Sequence, residues 1–256
     1  MPRIALKRRR LLPSALSFIA AALFSSADAR VLIHAQQQNN SESRKQNARP
    51  EAAAIEPTAA VPVTEPTLYS YEFTQPRFYI RHIIVQHDQN GKGSVSFERL
   101  NEDTPIVEQI VLSPVLLAHL TSLWQALRFL DSDTNYQAEK QFAHLGTMRI
   151  KMEQAGRQRT AEFNWSNNRS ASELVNEYRK IADQEIFVFD VSVARENQPL
   201  NAPKLMELLD SMLKRSALSE PQQLIPLLKE ITTDEHLPLI ARNHAARLLK
   251  RIESPK

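Results

Sequence analysis

The sequence predicts an α+β protein, in which an antiparallel sheet with helices on one face forms a two-layer sandwich followed by an all-α module. Three observations predict this class. Residues 147–165 alternate apolar and polar side chains on both sides of Ala155 and Gly156, which is the pattern of a β-hairpin. Residues 170–197 then place apolar side chains at spacings of three and four, as an amphipathic helix does. After Pro199 the periodicity is wholly helical.

The first 29 residues are typical of a secretory signal peptide. Residues 1–10 carry five basic side chains, residues 11–24 are mostly apolar, and Ala27 and Ala29 are the small residues that a signal peptidase recognises. The apolar run is too short for an ordinary membrane span. We therefore expect cleavage after Ala29 and a periplasmic or secreted bacterial protein, which stays tethered to the membrane if the signal is uncleaved.

The charge balance gives no support for nucleic-acid binding. The full chain has 32 basic and 29 acidic residues, and the first 29 residues hold five of the basic ones and one acidic one. The remaining 27 basic and 28 acidic residues nearly cancel. The chain also has no cysteine, which excludes disulfides, thiolate metal sites and thiol nucleophiles.

Residues 30–67 predict a flexible spacer. This segment is rich in alanine, glutamine and proline and has no apolar periodicity. Such a composition cannot bury enough apolar surface to offset the entropy lost on ordering. We expect the spacer to separate the export signal from an α+β domain over residues 68–197 and a three-helix module over residues 198–256.

The first part of the domain predicts three or four strands. A short edge strand is predicted over residues 69–73, where aromatic side chains alternate with polar ones before Pro76. Residues 78–87 and 94–99 predict two strands joined by the turn at 88–93. Residues 106–112 add a further strand to this prediction.

A capped helix follows these strands. Ser113 before Pro114 indicates a helix start, because serine caps the free amides and proline suits the first helical position. The expected buried stripe is Leu116, Leu120, Leu123, Leu127 and Leu130. The order of hairpin and capped helix thus occurs twice, over residues 78–130 and 147–197, and predicts both helices on one face of the sheet.

The second helix is predicted to begin at a capping box formed by Ser170 and Glu173. Its expected buried face is Val175, Tyr178, Ala182, Ile186, Phe189 and Val193. The β-branched composition of residues 184–197 leaves a strand there as the alternative. In the preceding hairpin, Phe163 and Trp165 could form a ligand face with Trp124, but the alternation favours the core.

Residues 198–256 predict three short helices with short connections. Capping boxes are expected at 219–222 and 232–235. The run over residues 239–249 resembles a helical repeat of the HEAT type, a resemblance that implies a protein-binding surface. Separately, the runs at 163–165 and 193–199 resemble an uncharacterised family of bacterial exported proteins, and that resemblance implies no function.

The turn at residues 88–93 resembles an EF-hand calcium loop in part. Asp88, Asn90 and Gly93 match its first, third and sixth positions. However, Lys92 replaces the fifth ligand and Arg99 replaces the bidentate glutamate. We expect a plain hairpin turn in which the glycines supply φ > 0, with weak calcium binding at Asp88 and Asn90 as the alternative.

Signatures of the common enzyme classes are missing from the sequence. Only four glycines occur, which excludes a phosphate loop and a dinucleotide fingerprint. No H-E-x-x-H motif occurs, and we expect His87 and Asp88 to form a surface pair at a turn. Asp190 lies among apolar residues, so we expect it to have a structural partner.

These observations predict an exported, non-catalytic interaction or scaffolding protein. We expect it to bind an envelope protein through its helical tail or its sheet edge, without a metal or a cofactor. The alternative is a secreted enzyme or enzyme inhibitor, because the polar loop over residues 131–144 could build a site. Its polar groups are Asp131, Asp133, Tyr136 and His144.

Overall fold

The computed structural model describes residues 66–102 and 104–254. Within them the chain forms a six-stranded antiparallel sheet and five α-helices, which confirms the α+β class with C-terminal helices. Its elements are β1 (Leu68–Thr74), β2 (Ile80–Asp88), β3 (Lys92–Arg99), β4 (Ile106–Val111), α1 (Pro114–Ala126), β5 (Thr147–Gln154), β6 (Arg157–Phe163), α2 (Arg169–Asn197), α3 (Ala202–Lys214), α4 (Ile225–Thr233) and α5 (Leu239–Glu253). The predicted signal peptide and all of the predicted spacer before Pro66 lie outside the described residues. Among the helices in the described part, none has the length and apolarity needed to cross a membrane.

β1 is a central strand of the sheet, whose order is β4-β3-β2-β1-β5-β6. Tyr71 pairs with Val85 of β2 on one side and with Ile150 of β5 on the other. The edge-strand prediction for residues 69–73 is therefore wrong. Pro76 lies beyond the last pair and removes no ladder hydrogen bond, so it does not restrict the strand to an edge. The two predicted hairpins, β2–β3 and β5–β6, are confirmed, with β1 between them.

Helices α1 and α2 cover the same face of the sheet, which we call the inner face. The ring of Tyr69 lies 5.4 Å from that of Trp124 in α1, and the ring of Tyr71 lies 5.5 Å from that of Tyr178 in α2. Residues two apart on a strand project to the same side. The predicted sandwich of one sheet and one helical layer is thus confirmed.

Side chains cap both of these helices. The Ser113 hydroxyl accepts a hydrogen bond from the Leu116 amide at 3.2 Å, as predicted. For α2, however, the cap is Asn168, whose side-chain oxygen accepts from the Ala171 amide at 3.0 Å. The capping box at Ser170 is wrong, because an asparagine two residues earlier is as good a cap and starts the helix sooner.

Helix α2 is continuous, so residues 184–197 are helical and the strand alternative is wrong. Its first half packs on the inner face of the sheet. In its second half, Phe187 and Val191 are each 2% exposed and belong to a second core with α3, α4 and α5. Phe189 points the other way, and its ring lies 5.5 Å from that of Phe97. One helix therefore contributes to two cores.

The segment before α4 is joined to α2 by hydrogen bonds. The Glu220 amide donates to the Gln184 side-chain oxygen at 3.0 Å, and the Ser219 hydroxyl donates to the same oxygen at 3.5 Å. Ser219 is thus engaged with α2 and does not cap a helix. The predicted box at 232–235 is wrong as well, because α5 begins later, at Leu239, without a side-chain cap.

The outer face of the sheet carries a ladder of charged side chains. His82 bridges Glu98 at 3.1 Å and Glu72 at 3.0 Å, and Arg149 bridges Glu72 and Glu162, each at 2.8 Å. The hydrogen bond from His82 lowers the pKa of Glu98. These pairs are partly solvated, so each adds little stability. The outer face is polar around this ladder, whereas the buried apolar side chains of the sheet lie on the inner face.

Candidate functional site

A groove opens at the inner face, between the first half of α2 and the sheet near the β1–β2 turn. Its volume is about 810 Å³, which is in the range of ligand-binding sites. The apolar walls are Phe73, Ile80, Ile83, Met148, Phe163 and Val175. We call this feature the aromatic groove.

Three aromatic side chains form its rim and remain exposed. Phe78 and Tyr79 come from the β1–β2 turn, and Trp165 follows the end of β6. Their exposed fractions are 44%, 60% and 47%, respectively. The prediction that Trp165 lies in the core is wrong, because β6 ends at Phe163 and the alternation of a strand no longer applies beyond it. Phe163 itself is buried as predicted.

Arg179 of α2 brings a guanidinium to the groove wall. Its Nε donates to the Tyr71 hydroxyl at 3.3 Å, and its Nη2 lies 3.3 Å from the Met148 sulfur. The guanidinium carbon lies 5.4 Å from the centre of the Phe73 ring, a cation–π contact. Burial raises the pKa of Tyr71, against the opposing effect of Arg179, so the tyrosine is neutral. These contacts fix the position of the guanidinium without neutralising its charge.

The Trp165 side of the rim is supported by the loop over residues 131–144. The Asn164 amide donates to the Gln137 side-chain oxygen at 2.9 Å, and the Gln137 side-chain nitrogen donates back to the Asn164 side chain at 3.2 Å. The Phe142 amide also donates to the Asn164 side chain, at 3.1 Å. The ring of Phe142 then meets that of Trp165 edge to face at 5.5 Å. The rim is therefore held by specific bonds.

The Tyr79 side of the rim is supported by Arg99, which is buried. Its guanidinium lies 5.7 Å from the Tyr79 ring and 5.2 Å from the Phe189 ring. Arg99 also pairs with Asp190, the acidic residue for which a structural partner was expected. The Leu100 amide donates to the Tyr79 carbonyl at 2.8 Å. Both sides of the groove are thus built before any ligand binds.

A buried hydrogen-bonded network adjoins Tyr71 in the core. The Trp124 indole donates to the Tyr178 hydroxyl at 3.0 Å, and this hydroxyl lies 2.9 Å from His87 Nε2. His87 Nδ1 lies 2.8 Å from the Asp88 carbonyl. These partners assign the Nδ1–H tautomer, and burial lowers the pKa of His87. The predicted surface pair of His87 and Asp88 is wrong, since His87 is 3% exposed.

The four polar residues of the alternative site have different surroundings. Asp131 is exposed and pairs with Arg157 at 2.6 Å, which lowers the pKa of Asp131. Asp133 and His144 are exposed, whereas Tyr136 is 3% exposed and stacks on core aromatic rings. Among the described residues, no hydrogen bond joins any two of the four. Their shared chemistry stays a prediction.

The turn that resembles a calcium loop is a hairpin turn. Asp88 Oδ1 accepts from the amides of Asn90 and Lys92, at 2.8 and 2.9 Å. Gly91 has a φ of 78°, as expected for a turn glycine. Gly93 has a different role, since a Cβ atom there would lie 1.8 Å from the Gln86 carbonyl oxygen. Calcium binding at Asp88 and Asn90 stays a hypothesis. Within residues 66–102 and 104–254, no group of three or more histidine or acidic side chains could hold a metal ion.

Comparison with known proteins leaves the chain without an assigned family. No family model matches it, and no curated protein does. The resemblance to bacterial exported proteins therefore stays a prediction, and function has to be argued from the groove.

Sequence reasoning missed most of the groove. Phe163 and Trp165 belong to the ligand face that the sequence offers as an alternative to the core, and both residues contribute to the groove. Nothing in the sequence indicated that Arg179 belongs to a binding site, because an arginine on a helix is usually exposed to solvent. The strand predicted over residues 78–87 includes Phe78 and Tyr79, although β2 begins only at Ile80. Two aromatic residues that follow Pro76 and Arg77 were the signal that could have indicated an exposed turn.

Proposed function

We propose that the chain is an exported, non-catalytic binding protein of the bacterial envelope that contacts a protein partner through the aromatic groove. The observation that carries the proposal is the concave apolar surface with three exposed aromatic rings at its rim. Tryptophan, tyrosine and arginine dominate the binding energy of protein interfaces. Export rests on residues 1–29, which have the composition of a signal peptide.

The helical tail and the sheet edge are the competing contact surfaces. In the tail, Leu239 and Ile240 of α5 are 61% and 66% exposed. At the edge, Val107 and Val111 of β4 are 54% and 67% exposed. We favour the groove because it is concave and its walls are held in place, so that binding orders few additional side chains.

The loop-built enzyme or inhibitor site around residues 131–144 is a weaker candidate. In the described structure this loop supports the groove wall through Gln137 and Phe142. None of the four polar residues of the alternative site makes these contacts, and among the described residues no hydrogen bond joins any two of them. The groove and the loop therefore favour the same binding function.

The test is site-specific photo-cross-linking in the producing bacterium. A photoreactive phenylalanine analogue replaces one residue at a time: Tyr79 for the groove, Leu239 for the tail and Val107 for the sheet edge. Thr160 of β6, which is exposed on the outer face of the sheet at the side opposite to β4, is the matched control.

We expect a discrete adduct from the Tyr79 position and none from Thr160. An adduct from Leu239 or Val107 with none from Tyr79 would move the contact to the tail or to the edge. The absence of any adduct, with the protein folded and exported, would refute the binding proposal.

A further inference from the structure

We propose that the aromatic groove binds an apolar segment of a protein partner that carries an acidic side chain, whose carboxylate is bound by Arg179. This inference rests on the proposed function of the groove. It adds the chemistry by which the partner is recognised.

The first argument is the state of the Arg179 guanidinium. A guanidinium has five N–H donors in a planar fork that matches a carboxylate. Those of Arg179 meet a tyrosine hydroxyl and a thioether sulfur, which are neutral acceptors. Among the described residues, no carboxylate forms an ion pair with it. Arg179 is partly buried in the groove wall, and a partly buried charged donor binds an anion more strongly than a fully exposed one does.

The second argument is the charge of the lining. Arg77 from the β1–β2 turn and Arg179 are its basic residues, and Asp183 is its acidic residue. Asp183 lies one turn beyond Arg179 on α2 and forms no ion pair with it. Burial raises the pKa of Asp183, and the nearby charges of Arg179 and Arg215 oppose this rise. The lining thus has an excess of one positive charge, which complements a single negative charge on an otherwise apolar ligand.

The third argument identifies the ligand as a segment of a protein. Phe78, Tyr79 and Trp165 stand at the rim with about half of their surface exposed. A small amphiphile inside the groove would leave these rings in water. A protein partner covers the rim with its own surface and buries the rings, as the aromatic residues of protein interfaces are buried.

The experiment uses an array of short synthetic peptides and the chain from residue 30 onwards. Each peptide has apolar residues around one central glutamate, and its twin has glutamine there. Acetylated and amidated ends leave the glutamate as the only carboxylate. We expect binding of the glutamate members and about tenfold weaker binding of their glutamine twins, which corresponds to one charge-assisted contact.

Variants of the protein assign the effect to Arg179. In Arg179→Gln, the glutamate and glutamine twins should bind equally, and Arg179→Lys should keep part of the preference. Arg169→Gln removes the same charge from an exposed position on the same helix and should keep the full preference. Comparing twins within each variant cancels any general loss of binding that the substitution causes.

The possible outcomes separate the two proposals. Equal binding of the twins by the unsubstituted protein overturns recognition of the acid, while the groove remains a peptide site. Binding of none of the peptides overturns both proposals. Free palmitate can also be tested as a competitor. If it displaces a bound peptide at a concentration at which a second peptide does not, the groove is a lipid site and the proposal of a protein segment is overturned.

Discussion

His87 connects the buried side chains of three elements, and its environment predicts a pH dependence of stability. Burial lowers its pKa below the ordinary value near 6.5. Below pH 6.5 the unfolded chain therefore binds a proton at His87 before the folded chain does. The free energy of unfolding falls as the pH falls from 6.5 toward the lower pKa of the folded state. Each unit of separation between the two pKa values costs about 1.4 kcal/mol.

His87→Phe should remove this contribution. We expect a lower free energy of unfolding at pH 8, by about 1–3 kcal/mol, because the Tyr178 hydroxyl loses its acceptor. The decline between pH 6.5 and pH 5 should become shallower than in the unsubstituted protein. Urea unfolding at several pH values measures both, with His144→Gln as an exposed control. An unchanged decline would mean that His87 is not the titrating group.

Glu185 is predicted to act in the opposite direction. Its pKa is raised to about 7, first by burial and then by the nearby carboxylates of Glu108 and Glu220. The folded chain thus keeps a proton that the unfolded chain releases above about pH 4.5, so stability falls as the pH rises from 4.5 to 7. Glu185→Gln should stabilise the protein at pH 8 by about 1–3 kcal/mol and change little at pH 4.5.

Denaturant unfolding at pH 4.5 and at pH 8 tests this expectation. Glu196→Gln changes the same kind of side chain at an exposed position of the same helix and serves as the control. An equal effect of Glu185→Gln at the two pH values would show that the carboxyl group does not titrate in this range.

At the scale of single residues, the sequence predicts burial better than it predicts partners. The core positions Met148 and Ile150 follow from alternation alone. The contact between Arg179 and Tyr71 does not, because the two residues are 108 positions apart and meet only once the sheet and α2 are packed. The groove depends on such distant contacts, and local periodicity carries no information about them.

Among the secondary-structure elements, the start of α2 offers a direct test of the structure against the sequence. Asn168→Ala should lower the free energy of unfolding by about 1 kcal/mol, because the Ala171 amide loses its acceptor. Ser170→Ala should be close to neutral, since residue 170 lies inside the first turn. Thermal unfolding of the two variants compares them. A larger loss of stability for Ser170→Ala than for Asn168→Ala would support the capping box at Ser170 that the sequence predicts.

The secondary-structure elements themselves were predictable from the sequence. Which elements lie next to each other in the fold was only partly predictable. Both hairpins have turns with clear local chemistry, and all five helices have periodic apolar stripes. The central place of β1 depends on pairing with β5, which lies far along the chain. Nothing in the seven residues of β1 distinguishes a central strand from an edge strand of the same alternation.

For the whole molecule, the position of α2 in both cores predicts coupled unfolding. Phe187 is 2% exposed in the second core, so Phe187→Ala should cost about 3–5 kcal/mol. Trp124 is 2% exposed in the first core. The two side chains belong to different cores, but α2 joins these cores. The stability lost in Phe187→Ala should therefore also appear in the fluorescence of Trp124.

Fluorescence and far-ultraviolet circular dichroism measure the coupling during urea unfolding. We expect one coincident transition in the unsubstituted protein and a shift of both signals by the same amount in Phe187→Ala. Leu208→Ala, at a half-exposed position of α3, provides a mild control. A second core that melts alone would instead give two transitions.

The place of β1 also affects the order in which the chain can fold during synthesis. Leu68 pairs with Glu153, so one long side of the first strand of the sheet has no partner until the fifth strand has been synthesised. A nascent chain that already contains β1 and β2 still exposes an open strand edge and a row of tyrosine side chains. Such an edge recruits other chains, and the late pairing slows completion of the sheet. For the export proposed above, such a delay would keep the chain unfolded for longer, which is the state that translocation of an unfolded chain requires.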